Sequence, residues 1–349
     1  MKQVHRHSVR LAVVALTLFL VACGGGERNS PDAGRAGQSF RVALLTAGPV
    51  SDAGWYAGAY EGLLAIRDSM GAQVSHQQTR TPSEFDEAFR AFGAEGYDLV
   101  FAHGFEYQDA AIRAGELFPD MTIVVSGGGR VSHNVVPLVF TLEEGSYLAG
   151  MLAGSMTRTG TLGMVGGVAI PPVQGTFLAF ASGAREVNPG VEVLESYIGN
   201  WDDVSAAKEA TVAQIRRGAD VIIHNTDAAS FGVFQAAREA TAAGDTAWAI
   251  GMNRDQNDVA PDVILGSAVI HIPRAFLETA RRWQAGTLGG APIYAGMHDG
   301  VIEFVVNPAL AARIPSPVLG RLGRVEEEIR SGARTVPRVA FVEGEPGVP

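Results

Sequence analysis

From Phe40 onward the chain alternates short β-rich runs with helical stretches, and the alternation starts over once near its middle. Phe40–Ala47 (FRVALLTA) reads as an apolar strand, and a helix is expected over 53–69. Tyr97–His103, Met121–Ser126 and Val135–Phe140 are further β-rich runs, with helices between the earlier of them. Thr81-Pro82-Ser83-Glu84 has the spacing of a capping box, and its proline sits where a first-turn N–H needs no partner. The same spacing from Thr141 to Glu144 opens a helix through about Thr157. Ser146, Gly150 and Gly154 give that helix a stripe of small residues. The helix is too short and too polar at its start for membrane dimerisation, so the stripe is read as a face for close packing on a sheet.

The second run places strands at Thr161–Val165, Val191–Ser196, Ala219–His224 and Ala247–Gly251. Strands joined through helices of a dozen residues or so imply parallel sheets covered on both faces. Two such runs predict an α/β fold of two doubly wound parallel-sheet lobes with a cleft between them. The N-terminal lobe is expected to hold 40–140 and 253–290, taking back the strand Val263–Ile270 and the helix Pro273–Ala285. The C-terminal lobe is expected to hold 141–252 and 291–345, regained through Tyr294–Val306. Open α/β sheets bind ligands at the carboxyl ends of their strands, so facing lobes put the site in the cleft.

The first ten residues carry Lys2, Arg6 and Arg10 and no acid, and an apolar run from Leu11 to Val21 follows. That run is too brief for an ordinary membrane span. It ends in Leu20-Val21-Ala22-Cys23, the form of a lipobox, and Cys23 is the single cysteine of 349 residues. Residues 1–22 are therefore expected to be a lipoprotein signal peptide, with Cys23 the lipidation site. Residues 23–39 form a flexible tether, rich in glycine and polar residues and without apolar periodicity. The expected location is extracytoplasmic, anchored to the cell membrane by lipid and facing the periplasm or the cell surface.

Residues 1–22 hold three basic and no acidic residues; without them 24 basic residues face 37 acidic ones, a net of −13. Such a surface repels phosphate backbones, so no nucleic acid is expected as partner. It also leaves membrane attachment to the acyl chains. With 47% apolar residues, the chain can build two cores without disulfides.

Signals for an enzyme are weak. His76, His103, His133, His224, His271 and His298 are scattered, without metal-ligand spacing. No G-x-S-x-G elbow is present, and neither Gly127–Arg130 nor Gly163–Gly167 continues as a phosphate-binding loop. Neither catalysis, a metal nor a cofactor is expected.

Five segments, in order, resemble the basic membrane protein (BMP, PnrA-like) family of lipid-anchored substrate-binding proteins of ABC importers. They are RVALLTAGPVSDAGWYAGAYEGL from Arg41, HGFEYQDA from His103, EEGSYLAGMLAG leading into GTLGMVGG, YIGNWDDVSAAKEA followed by RRGADVII, and AIGMNRDQ before ILGSAV. The resemblance spans about residues 40 to 285. It implies the type I periplasmic-binding fold, a small nucleoside-like ligand, and ABC permease and ATPase subunits as partners. Purine nucleosides lead, with another heterocycle, a flavin, a sugar, or a surface sensor without transport as alternatives.

The resemblance also puts Trp55 and Trp201 where the family stacks aromatics on a ligand base. Asp52 is expected to cap the first helix, to accept hydrogen bonds from ligand nitrogens, or both. Phe105 would extend the aromatic wall; Asp109 is either a ligand contact or a first-turn helix residue favoured by the dipole. Asn225, Thr226 and Asp227 end a strand, which suits hydroxyl or amide recognition and equally a helix cap. In Gly251–Gln256 (GMNRDQ), Asn253 and Asp255 are candidates, and Tyr56, next to Trp55, is another. Many family members carry aspartate at the position of Asn253, asparagine at Tyr56, and a lysine near Ile270 and His271.

Overall fold

The computed structural model describes residues 40–348 apart from Ala53 and Gly347. The expected signal peptide, Cys23 and the tether lie outside the described residues. Along the chain run β1 (Arg41–Thr46), α1 (Trp55–Met70), β2 (Gln73–Gln78), α2 (Pro82–Ala94), β3 (Leu99–His103), α3 (Gln108–Leu117), β4 (Thr122–Ser126), β5 (Val135–Phe140) and α4 (Glu143–Met156). A second series follows: β6 (Thr161–Gly166), α5 (Pro171–Val187), β7 (Glu192–Tyr197), α6 (Val204–Arg216), β8 (Val221–Asn225), α7 (Ser230–Ala242) and β9 (Trp248–Asn253). The remainder is β10 (Ile264–Ile270), α8 (Ile272–Gln284), β11 (Ile293–Ala295), β12 (Ile302–Val306) and α9 (Ser316–Arg330).

Among the described residues the strands form two six-stranded sheets, in the orders β11-β5-β4-β3-β1-β2 and β12-β10-β9-β8-β6-β7. The first is parallel throughout; in the second only β12 runs antiparallel, beside β10. Central strands such as β3 are buried along their whole length, as expected of a sheet covered on both faces. This is the periplasmic-binding-protein fold, two α/β lobes with the carboxyl ends of their parallel strands turned to a shared cleft.

Local signals behave as their chemistry requires. Thr81 caps α2 through its Oγ1, which accepts from the Glu84 N–H, with Pro82 at the first helical position. Glu84 returns the favour one residue early, accepting from the N–H of Arg80 at 2.7 Å.

Three assignments differ from the sequence reading, the expected placement of Tyr294 in the C-terminal lobe among them. Strand β10 does not return to the first sheet: it pairs with β9 in the second, with Ser267 opposite Gly251. Of the β10–α8 pair only helix α8 crosses back, stacking Phe276 on Phe101 of β3 at 4.2 Å. Next, β11 joins the first sheet beside β5, and β12 returns to the second. All seven residues of β10 are buried, so its apolar pattern suits either sheet and cannot select one. The small-residue stripe of α4 is the third difference. It packs on helix α5 rather than on a sheet: a Cβ at Gly150 would stand 2.0 Å from the carbonyl oxygen of Phe180, and one at Gly154 2.7 Å from that of Ala184. Close helix contact buries the Ser146 hydroxyl there without a partner.

Candidate functional site

The cleft between the sheets narrows into a pocket lined from both lobes. Trp55, Tyr56, Phe105, Glu106 and Phe140 come from the first; Thr176, Trp201, Asn225, Asp227, Asn253 and Ile270 come from the second.

The turn from β1 into α1 sets the first wall. Asp52 is buried, and its carboxylate accepts from the N–H groups of Gly54 at 3.1 Å and of Tyr56 and Ala57 at 2.8 Å. It therefore holds the start of α1, and with it the adjacent Trp55 and Tyr56, and reaches only the outer mouth of the cleft. The carbonyl of Trp55 accepts a hydrogen bond from His103 Nε2 at 3.0 Å. Since a carbonyl only accepts, Nε2 carries the hydrogen, and Nδ1 accepts from the Ser126 hydroxyl at 2.6 Å. Burial pushes the His103 imidazole down to about 3, which keeps it neutral. Phe140 meets the Trp55 indole edge-on at 5.7 Å.

Opposite, Trp201 follows β7 and seats its ring against Gly167, where any Cβ would lie 2.2 Å from the indole. Only glycine permits this approach. Both tryptophans are half-buried, which fits walls of a cleft better than core residues. Asn253 is the one non-glycine among the described residues with positive φ, 68°. Asparagine tolerates that conformation, and here it turns the end of β9 into the pocket. Its Nδ2 lies 3.5 Å from Asp227 Oδ1, and Asn225 Nδ2 donates to Thr176 Oγ1 at 3.1 Å.

Charge in the pocket is one-sided. Burial, then the neighbouring Asp52, Glu106 and Asp202, push the Asp227 carboxyl well above the usual carboxylate range. Glu106 is exposed toward the space between the lobes, and the protein crowded around it there pushes its carboxyl up, to about 7. No lysine or arginine is among the residues lining the inner pocket; Arg80 reaches only the mouth. Arg254 instead pairs with Glu61 of α1 at 3.0 Å, bridging the two lobes beside the cleft. Such a lining suits a neutral guest rich in N–H and O–H donors and repels phosphate.

Of the sequence candidates, Trp55, Tyr56, Phe105, Trp201, Asn225 and Asn253 meet at the pocket, and Asp52 lies at its mouth. Asp109 and Asp255 do not line it. Asp109 is on the outer face of α3, paired with Arg130 at 2.8 Å, and Asp255 accepts from the Asn257 N–H at 3.0 Å in its own turn. Each had the composition of a site residue but the geometry of a turn or helix start. Ile270 is in the wall and His271 is outside, paired with Glu303 at 2.8 Å. Asp227, read in sequence as part of the Asn225-Thr226-Asp227 triplet, is in the wall. Several wall residues were missed, among them Glu106, Phe140, Thr176 and Phe341; Glu106 directly follows Phe105 and so had a signal. Phe341 had none. Among the described residues no cluster of His, Cys, Asp and Glu could hold a metal, and no helix is long and apolar enough to cross a membrane.

The sequence profile of the family described as ABC transporter substrate-binding protein PnrA-like matches residues 40–329. The transcriptional activator protein Med of Bacillus subtilis is 29% identical over 84% of this chain and 88% of its own length. A purine-binding protein of Brucella abortus is 26% identical over 86% of this chain and 83% of its own. An ABC transporter solute-binding protein from Aeropyrum pernix superposes with a TM-score of 0.78 at 19% identity, covering 89% of this chain and 95% of that one. At that identity the likeness is one of fold.

Proposed function

Because the chain belongs to the PnrA-like family of ABC transporter substrate-binding proteins, we propose that its cleft captures a purine nucleoside or a closely related neutral heterocycle. The carrying observation is that Trp55 and Trp201, from opposite lobes, line one pocket. A planar base stacks on such rings, while the amides of Asn225 and Asn253 and the carboxyls of Asp227 and Glu106 meet its polar edge. Likeness to a purine-binding protein supports this ligand class. The absence of lysine and arginine from the inner wall argues for nucleosides and bases over nucleotides. Lobe closure traps the guest unchanged and presents it to a membrane permease driven by a cytoplasmic ATPase. A diacylglyceryl group on Cys23, following removal of residues 1–22, tethers the protein outside the cytoplasm. Mass spectrometry of membrane-extracted protein tests that tether: an N-terminal lipidated Cys23 is expected, and an unmodified thiol rejects it.

Binding is tested by calorimetry and thermal shift against adenosine, guanosine, inosine, their bases and monophosphates, riboflavin and hexoses. A ligand at a hundred times its Kd adds about 2.7 kcal/mol to stability, a clear shift. Nucleosides or bases are expected to shift the protein and monophosphates to leave it unchanged. A response to sugars or riboflavin alone overturns the purine reading.

A further inference from the structure

After α9 the chain crosses from the second lobe to the first. Arg334 begins the crossing, with its guanidinium on Glu186 of α5 at 2.7 Å and on Glu328 at 2.8 Å. The end of the crossing is fastened to the first lobe. Tyr294 of β11 donates to Glu345 Oε1 at 2.6 Å, and Glu345 Oε2 accepts from the N–H groups of Phe341 and Val342 at 3.1 and 3.2 Å. The Glu343 N–H donates to the Gly129 carbonyl at 2.8 Å, and its carboxylate accepts from Arg130 Nε and the Val131 N–H, each at 3.0 Å. Val342 is fully buried. Backbone meets backbone so closely that a Cβ on Gly129 would lie 2.3 Å from the Phe341 carbonyl oxygen. Phe341, thus fixed, lines the pocket together with Trp55 and Phe140.

We propose that residues 334–345 form a third wall of the ligand site, that Phe341 sets which ligands fit, and that the Glu343–Arg130 pair fastens this wall. The inference rests on the pocket being the ligand site. It goes beyond the family profile, whose match ends at residue 329, before this wall begins. Sidedness follows from the anchoring. Trp55 and Trp201 come from the two lobes, whereas Phe341 arrives on a strap rooted in the second lobe and sealed to the first. A guest that outgrows the space between the indoles on that side meets an aromatic ring rather than solvent.

The test uses the full chain and its Phe341→Ala, Phe341→Leu and Glu343→Gln variants, titrated with adenosine, guanosine, inosine, adenine and N6-benzyladenosine. Phe341→Ala is expected to weaken the best unsubstituted purine by about tenfold, a modest part of an aromatic contact. N6-benzyladenosine should gain relative to that purine, because the wall has been removed. Phe341→Leu and Glu343→Gln should fall between Phe341→Ala and the unaltered chain. A loss of mere structural support would lower all affinities together, so the ratio between ligands is the deciding readout. Unchanged affinities and ratios in Phe341→Ala overturn the wall. If the unaltered chain binds no purine, the purine reading fails, and the wall is judged by hydrogen exchange at the Val342 and Glu343 amides. Slow exchange keeps it; exchange at the rate of unstructured chain removes it.

Discussion

The imidazole of His103 lies face to face with the indole of Trp55, 3.8 Å between ring centres and 27° between planes, and its Nε2 also holds Trp55's own carbonyl. One buried side chain thus fixes both the backbone and the ring of a residue that lines the cleft. Aromatic walls bind well only when they are already in place, because ordering a loose side chain on binding offsets part of the stacking gain. Removing the ring leaves the Trp55 carbonyl without its partner and opens a cavity beneath the indole. His103→Ala should therefore lower stability by about 2–4 kcal/mol in denaturant unfolding and red-shift tryptophan emission. Emission and stability like those of the unaltered chain would deny His103 this role.

The same histidine makes the fold sensitive to acid. Burial holds His103 down to about 3 and His224, bonded to Gln256 at 2.9 Å, down to about 4. In the unfolded chain both titrate near pH 6.5, so there the unfolded state takes up protons that the folded state refuses. Their contribution is present above about pH 6.5 and is lost as pH falls toward 4 and 3. The melting temperature should drop between pH 6.5 and 4, and His224→Gln should show a shallower decline. Equal slopes would mean that other groups govern the acid limb.

Glu106 gives the opposite slope. Its folded value near 7 lies above the ordinary carboxylate value, so its neutral form is favoured in the cleft. That contribution is complete below about pH 4.5 and disappears as pH rises through 7, when a charge must form near Asp227. Glu106→Gln should accordingly raise the melting temperature at pH 8 and leave it nearly unchanged at pH 5. A pH-independent effect would show that the cleft does not raise this carboxyl.

Alanine in place of either Trp55 or Trp201 is expected to weaken purine binding by on the order of 1–3 kcal/mol, the usual worth of a base stacked on an aromatic ring. Because both are half-buried, neither change should unfold the protein. Calorimetry and a thermal melt on each variant decide the matter. Undiminished affinity in both removes the indoles from the site.

Asp52 separates support from contact. Its oxygens are occupied by three N–H groups at the start of α1. Asp52→Ala should cost about 1–2 kcal/mol in unfolding free energy, the range for a lost helix cap. Asp52→Asn, which keeps one acceptor, should recover part of it. Affinity should change less than in the tryptophan variants; a larger loss in Asp52→Asn would make it a direct ligand contact.

Much of this was legible in the residues. The helix start at Thr81-Pro82, the strand ending at His103 and the aromatic after Ser51-Asp52 are set by neighbours a few positions apart, and the structure has them where local chemistry puts them. Asp109 and Asp255 show the limit of that reading. Both sit near family-like motifs, yet each carboxylate is turned away from the cleft by partners that local pattern does not reveal.

Alternation of apolar strands and amphipathic helices, by itself, determined that this chain builds two parallel-sheet lobes and binds something in the cleft between them, because burial of both sheet faces follows from the pattern alone. Tertiary structure alone decided which sheet received β10, which helix the glycines of α4 touch, and that Phe341 reaches the pocket. Those outcomes depend on backbones meeting across long stretches of chain, and a strand buried along its whole length or a lone aromatic fits more than one neighbour until the neighbours are present.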